Sequence, residues 1–148
     1  MAIWEWALAA YGGEGVPEAC LTLQDAHGQN VPFLLWTVWA EAADPTLLAR
    51  AAEVARAWDA VAVQPLRAVR RGLKAACPPV DDGAREGLRD DVKAAELRAE
   101  RLLLETLAGL FGERPGGAPA LAALRAASAA WGPPAPDASL AALAHALG

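Results

Sequence analysis

The residues whose types suggest chemistry are concentrated in the segment LTLQDAHGQNV. This segment contains Gln24, Asp25, His27 and Asn30. A carboxylate two positions before an imidazole occurs in base–orienter pairs and in metal sites, but residues i and i+2 do not share a helical face. Cys20, Gln24 and His27 do share one, yet glutamine is a poor ligand and no second histidine is placed nearby. We therefore predict no metal site, and we expect Asp25 and His27 to complete the end of a helix with hydrogen bonds.

A second set of candidates consists of basic side chains at helical spacing. No acidic residue occurs between Asp59 and Asp81, and four cations in that interval follow the i, i+3, i+4, i+7 pattern of one helical face. They are Arg67, Arg70, Arg71 and Lys74. This face, called here the basic stripe, repels itself unless anions neutralise it.

Two carboxylates further along the chain are spaced to meet the basic stripe. Glu96 and Glu100 lie about one helical turn apart, and a turn at Pro78–Gly83 brings their helix back along the stripe. Glu96 shares a face with apolar residues, so we expect it to be partly buried and paired with Arg67 or Arg70. The alternative is an anion site, in which the stripe binds a phosphate, a small carboxylate or an acidic partner protein. Both interpretations stay open at this point.

Composition limits the function classes. The chain of 148 residues has a net charge of −5, which disfavours nucleic acid and anionic membrane surfaces as partners. The longest strongly apolar run, Val31–Ala40, has about half the length of a membrane span. Cys20 and Cys77 are too few for a disulfide framework, so we expect free buried thiols and a cytoplasmic protein. No nucleophile–base pair and no glycine-rich phosphate loop is recognisable, which argues against an enzyme.

The fold class predicted from the composition is all-α, because alanine and leucine dominate and β-branched residues are few. Helix starts are indicated at Asn30 and Asp44, whose side chains can accept hydrogen bonds from the first turn and which are followed by prolines. Pro65 lies in an otherwise helical run and predicts a break or kink there.

The domain organisation follows from these signals. We expect residues 1–112 to form a compact bundle of about five or six helices. After Gly112 the sequence is rich in alanine and proline, which predicts a helical appendage over residues 113–148, docked through a few large side chains or partly disordered. The spine of the bundle is a long helix from about Ala84 to Phe111. Its predicted inner face consists of Val92, Ala95, Ala99, Leu102, Leu103, Thr106 and Leu110.

Tryptophan is frequent in this chain, with six residues. Most of them are expected in the core. Trp4 and Trp6, however, are two positions apart and cannot both face inward from one helix. At least one of the two is therefore expected to be partly exposed, which makes the N-terminal helix a candidate contact patch.

Three stretches of the chain together resemble a known family. They are CLTLQDAHGQNVPFLLWTVW, QPLRAVRRGLK and VKAAELRAERLLLE. They resemble a small proteobacterial family of conserved proteins of unknown function, with LQDxxGx(D/N)VxxLLxxW, PLRxxRRxLK and KxxELxAE elements, over about residues 3–111. The resemblance implies no activity, cofactor or substrate. It does imply that family pattern positions are occupied by Gln24, Asp25, Asn30, Arg67, Arg71, Lys74, Glu96 and Glu100.

The function predicted from the sequence is a non-catalytic interaction or accessory protein of the cytoplasm. It would meet a protein partner through the basic stripe or the tryptophan patch. The alternative is a protein or enzyme that binds a small anionic molecule. Its pocket would be formed by Gln24, Asp25, Arg67, Arg71 and Glu96. Neither prediction requires a metal or a cofactor.

Overall fold

The computed structural model describes residues 1–112 and 116–148, and these residues form helices without any strand. The predicted all-α fold is thereby confirmed. In chain order the helices are α1 (Ile3–Tyr11), α2 (Val16–His27), α3 (Val31–Trp39), α4 (Pro45–Trp58), a π-helical segment (Asp59–Val63), α5 (Gln64–Gly72), α6 (Asp82–Phe111), α7 (Ala120–Trp131) and α8 (Asp137–Leu147).

Local signals in the sequence set the helix ends. The Asn30 side chain accepts a hydrogen bond from the Phe33 amide at 2.9 Å, and Asp44 accepts one from the Leu47 amide at 2.9 Å. Each bond satisfies an amide that has no partner within the first turn. Gly28 follows α2 with a left-handed φ of 62°, which a glycine adopts without steric cost. The predicted caps at Asn30 and Asp44 are confirmed.

The chain stays helical through Pro65, so the predicted break is replaced by a change of helix type. α4 continues through the π-helical segment directly into α5. Proline lacks the amide hydrogen of the regular ladder, and the wider turn before it absorbs that loss. Asp59, in the π-helical segment, accepts hydrogen bonds from Asn30 Nδ2 at 3.2 Å and Gln64 Nε2 at 3.1 Å. The bond from Asn30 connects the segment to the start of α3.

The centre of the molecule is α3, which is almost entirely buried. Phe33, Leu35 and Trp36 are each at most 1% exposed. α3 packs against α1, α2, α4, α6 and α7. The Phe33 ring lies 6.1 Å from the rings of both Trp36 and Trp131. This aromatic contact joins α3 to α7.

The C-terminal helices share the same core. Leu124 of α7 and Leu143 of α8 are fully buried in the cluster that also contains Phe33. The Trp131 indole donates a hydrogen bond to the Gly28 carbonyl at 2.8 Å. The hydrophobic core therefore continues past residue 112. The composition of the sequence changes at this residue, but the core does not end there. Residues 113–115, where the predicted appendage begins, lie outside the described residues.

The predicted inner face of α6 is partly wrong. Ala99 and Leu103 are buried as predicted, but Leu104 and Leu107 are buried as well. Three consecutive leucines at 102–104 permit two different inner faces of α6. Packing against α3 and α4 selects the face that contains Leu104 and Leu107. Val92 is half-buried. Four residues that were predicted to face inward are exposed: Ala95, Leu102, Thr106 and Leu110.

Two further expectations concern the environment of the chain. Among the described helices, none has the length and apolar character required to cross a membrane. Both cysteines are free thiols, but only Cys20 is buried. The expectation of a buried thiol is wrong for Cys77, because it lies in the exposed connection between α5 and α6.

Candidate functional site

Three of the four cations of the basic stripe form ion pairs within the chain. Arg67 Nε lies 3.1 Å from Glu96 Oε1, and Arg70 Nε lies 2.6 Å from Glu96 Oε2. Arg70 Nη2 also donates to Glu96 Oε1 at 3.4 Å. Glu96 thus accepts hydrogen bonds from both arginines, and Arg70 binds it in the bidentate manner. The predicted pairing of Glu96 with these arginines is confirmed.

This pairing keeps Glu96 ionised although it is buried. Glu96 and Arg67 are 8% and 6% exposed. Burial alone raises the pKa of Glu96, but hydrogen bonds from Arg70 and Arg67 outweigh it, and the pKa lies below its ordinary value. The hydrogen bond to Glu96 in turn raises the pKa of Arg70. The cluster therefore fixes the packing of α5 against α6 as a buried, hydrogen-bonded ion network.

Helix α2 supplies the other partners of the stripe. Gln24 Oε1 accepts a hydrogen bond from Arg67 Nη2 at 3.2 Å, and Asp25 Oδ1 accepts one from Arg71 Nη2 at 3.3 Å. The expected helix-ending role of Asp25 is therefore wrong. α2 is instead closed at Gly28 by the backbone, which leaves the Asp25 side chain facing α5.

The remaining candidates lie outside this cluster. Asn30 caps α3 and binds Asp59. His27 is half-buried at the end of α2, and no side-chain hydrogen bond to it occurs within residues 1–112 and 116–148. Lys74 is exposed beyond the end of α5 and has no ion pair among the described residues. The structure thus gathers Gln24, Asp25, Arg67, Arg70, Arg71, Glu96 and Glu100, and separates His27, Asn30 and Lys74 from them.

Glu100 differs from Glu96 because it has a weaker partner. Its nearest cation is Arg67 Nη2, 3.6 Å from its Oε1, which is longer than a hydrogen bond. Burial and, to a smaller extent, the neighbouring Glu96 raise the pKa of Glu100, Arg67 and Arg70 lower it, and the net result is a pKa of about 7. The carboxyl group of Glu100 is therefore about half protonated near neutral pH.

Two side chains that the sequence did not single out as functional lie beside Glu100. Tyr11 is 39% exposed, lines the same cavity as Glu100 and lies close enough to Cys20 and Glu100 for both to affect its pKa. Burial, with Cys20 and Glu100 adding to it, raises the pKa of Tyr11 far above its ordinary range. Burial also raises the pKa of Cys20 to about 11, although its contact with Tyr11 opposes this. Both groups stay protonated at neutral pH. Tyr11 and Cys20 come together because α1 packs against α2, and helical periodicity in the sequence does not predict that packing.

A cavity of about 260 Å³ opens between α1, α3 and α6. Its walls are apolar, with Leu8 from α1, Leu35 from α3 and Leu97 from α6 among them. Glu100 and Tyr11 are the lining residues whose side chains carry oxygen atoms. An apolar cavity with a few polar groups has the character of a small-molecule site.

A larger and more open groove, of about 500 Å³, lies on the other side of Trp4 and Leu97. We call it the Trp4 groove. It is lined by Trp4, Ala94, Leu97, Arg98, Arg101, Leu102 and Glu105. The Arg101 guanidinium stacks over the Trp4 ring at 5.3 Å and pairs with Glu105 at 2.7 Å. Trp4 is half-buried, which agrees with the expectation of a partly exposed tryptophan in α1.

The predicted pocket for a small anion remains a prediction. Its residues Gln24, Arg67 and Glu96 bind one another. A shallow concavity of about 280 Å³ adjoins them and is lined by Arg70, Lys93, Glu96, Leu97 and Glu100. It contains as many acids as bases, so its charge does not favour an anion.

Comparisons with known proteins give one assignment. Searches of curated proteins and of solved structures find no match. Within the described residues there is also no group of histidine, cysteine and acidic side chains that could hold a metal ion. The family model described as "Protein of unknown function (DUF2390)" matches residues 2–107, which is more than half of the chain. The chain therefore belongs to this family of proteins of unknown function.

Proposed function

We propose that the protein is a non-catalytic accessory protein that binds an acidic, amphipathic segment of a partner protein in the Trp4 groove. One observation carries this proposal. The Trp4 groove combines apolar side chains that remain exposed with cations along its border.

The apolar part of the argument rests on α6. Leu97 and Leu102 are 51% and 46% exposed, although both are large apolar residues of a long, well-packed helix. Leu8 of α1, on the far side of Trp4, is 54% exposed. Scattered apolar residues on a surface need no explanation, but Leu97 and Leu102 share one groove with Trp4. Such a patch favours a partner that presents apolar side chains.

The charge of the groove indicates the chemistry of the partner. Arg98 and Arg101 line the groove with Glu105 as its only acid among the lining residues. Arg101 is paired with Glu105, whereas Arg98 has no ion pair among the described residues. A groove with one uncompensated cation beside apolar surface is complementary to a helix that carries leucines on one face and acids beside them.

The basic stripe is less suited to this role. Arg67 and Arg70 are engaged by Glu96, and Arg71 by Asp25. Lys74 alone is left exposed without a partner among the described residues. We therefore propose the Trp4 groove, and not the basic stripe, as the docking surface. The proposed location is the cytoplasm, which the two free thiols support.

The experiment is a fluorescence-anisotropy titration with a labelled model helix. Its leucines follow i, i+3, i+4 and i+7, and its remaining positions are rich in glutamate. We expect the wild type to bind this peptide at low salt and to reject the same peptide with lysine in place of glutamate. Arg98→Glu should weaken binding about tenfold, because it turns an attraction worth up to about 1 kcal/mol into a repulsion.

A matched control is available on the same helix. Leu102→Asp should abolish binding, whereas Leu88→Asp should leave it unchanged, since Leu88 is similarly exposed, at 52%, but does not line the groove. Equal effects of the two leucine substitutions, or equal binding of both peptides, would refute the proposal.

A further inference from the structure

The cavity between α1, α3 and α6 is separate from the Trp4 groove, although Trp4 and Leu97 line both. Its lining contains one ionisable acid, Glu100, and no lysine, arginine or histidine. The two aromatic rings in the lining belong to Trp4 and Tyr11. The remaining lining residues are apolar. The cavity therefore offers one negative charge, two ring faces and an apolar interior.

Glu100 has capacity for a further partner. Among the residues that the structure describes, Arg67 alone forms an ion pair with Glu100, at 3.6 Å, and Arg67 already binds Glu96 and Gln24 at 3.1 and 3.2 Å. Within the described residues no side chain donates a hydrogen bond to Glu100. Its side chain is nevertheless 22% exposed and lines the cavity. A carboxyl group in this state can accept a hydrogen-bonded cation from a ligand.

We propose that this cavity binds a small organic amine, with the ammonium group against the Glu100 carboxylate and the apolar body among the leucines. The aromatic faces of Trp4 and Tyr11 add cation–π attraction for such a group. A carboxylate ligand would instead face ionised Glu100 and be repelled by it. At about 30 Å³ for each heavy atom, the volume of about 260 Å³ admits a body of about nine heavy atoms.

The binding is linked to protonation, because the ammonium pairs with ionised Glu100. The groups that face Glu100 are Tyr11 from α1, Cys20 from α2, Arg67 and Arg70 from α5, and Glu96 from α6. Of these, Tyr11 and Cys20 stay protonated, and Glu96 stays ionised. With a pKa of about 7 for Glu100, an amine should bind about thirtyfold more weakly at pH 5.5 than at pH 8.

The test is isothermal titration calorimetry of the full chain with three phenyl-substituted probes of nearly the same size: 2-phenylethylamine, 2-phenylethanol and phenylacetate. We expect the amine to bind most tightly at pH 8 and to lose about thirtyfold in affinity at pH 5.5. Glu100→Gln should remove both the preference for the amine and the pH dependence. This variant keeps the shape of a side chain that is largely protonated at lower pH, so it should fold.

Two controls separate this inference from the proposed function. Asp91→Asn removes an exposed acid of the same helix that lines neither the cavity nor the Trp4 groove, and it should leave amine binding unchanged. Leu102→Asp, which tests the Trp4 groove, should also leave it unchanged. The inference is overturned if no probe binds at pH 8, if the carboxylate binds as tightly as the amine, or if Glu100→Gln binds the amine like the wild type.

Discussion

Replacing Glu100 with glutamine should make the protein more stable at alkaline pH. The folded-state pKa of Glu100 is about 7, against an ordinary value of 4.5. Because the folded state holds this proton more tightly, the stabilisation is fully present below pH 4.5 and is lost as the pH rises through 7. The difference of about 2.5 pKa units corresponds to about 3 kcal/mol of unfolding free energy. Glu96 does not cancel this change, because its lowered pKa matters only below its ordinary value.

The assay is urea unfolding of the wild type and Glu100→Gln at intervals from pH 4.5 to 8.5. The variant should match the wild type near pH 4.5 and exceed its unfolding free energy by about 3 kcal/mol at pH 8.5. Glu105→Gln, an exposed carboxyl on the same helix, should follow the wild-type pH profile. If Glu100→Gln runs parallel to the wild type at every pH, the burial and the partner assignment of Glu100 are wrong.

Three further predictions address the ion network, a helix cap and the thiols. Glu96→Ala should lower the unfolding free energy by about 3 kcal/mol in urea denaturation, because it leaves the buried Arg67 without its main anion. Asn30→Ala should lower it by about 1 to 2 kcal/mol in the same assay, since it removes the α3 cap and the bond to Asp59. Iodoacetamide followed by mass spectrometry should modify the exposed Cys77 and leave native Cys20 unmodified, because burial raises the pKa of Cys20 to about 11.

Each of these predictions has an internal comparison. Glu105→Ala breaks an exposed ion pair and should change stability by no more than about 1 kcal/mol, so an equal loss for Glu96→Ala would contradict the buried network. Asp44→Ala removes an exposed cap without a second bond and should cost less than Asn30→Ala. Alkylation of Cys20 at the rate of Cys77 would contradict the packing of α2.

Much of the fold is visible in the sequence because it depends on local interactions. The caps at Asn30 and Asp44 act within one helical turn, and asparagine and aspartate are residue types that commonly cap helices. The pairing of Glu96 was also predictable, since helical spacing and a short turn determine which charges of α5 and α6 meet. Helical spacing does not specify side-chain positions. It therefore could not predict that both arginines pair with Glu96 and that Glu100 has only a weaker ion pair with Arg67 among the described residues.

The features that were missed depend on packing between distant segments. Leucines at 102–104 leave the inner face of α6 undecided until α3 and α4 select it. The cavity beside Glu100 needs α1, α3 and α6 together, and no motif joins them. Docking of the C-terminal helices was one of two alternatives that the sequence left open, and the burial of Leu124 and Leu143 and the hydrogen bond of Trp131 decide in its favour. Composition alone does not decide between docking and partial disorder, because it does not show which apolar side chains become buried.

The most direct test of the proposed docking surface is photo-crosslinking from two matched positions of α6. A photoreactive amino acid at residue 102 lies in the Trp4 groove, and one at residue 88 lies on the same helix outside it. In extracts of the native host, we expect position 102 to crosslink to an acid-rich, amphipathic segment of a partner, position 88 not to do so, and Arg98→Glu to reduce the yield of the product, in line with the about tenfold weaker binding expected for that variant. Identical crosslinks from both positions, or a basic segment crosslinked at position 102, would contradict the account.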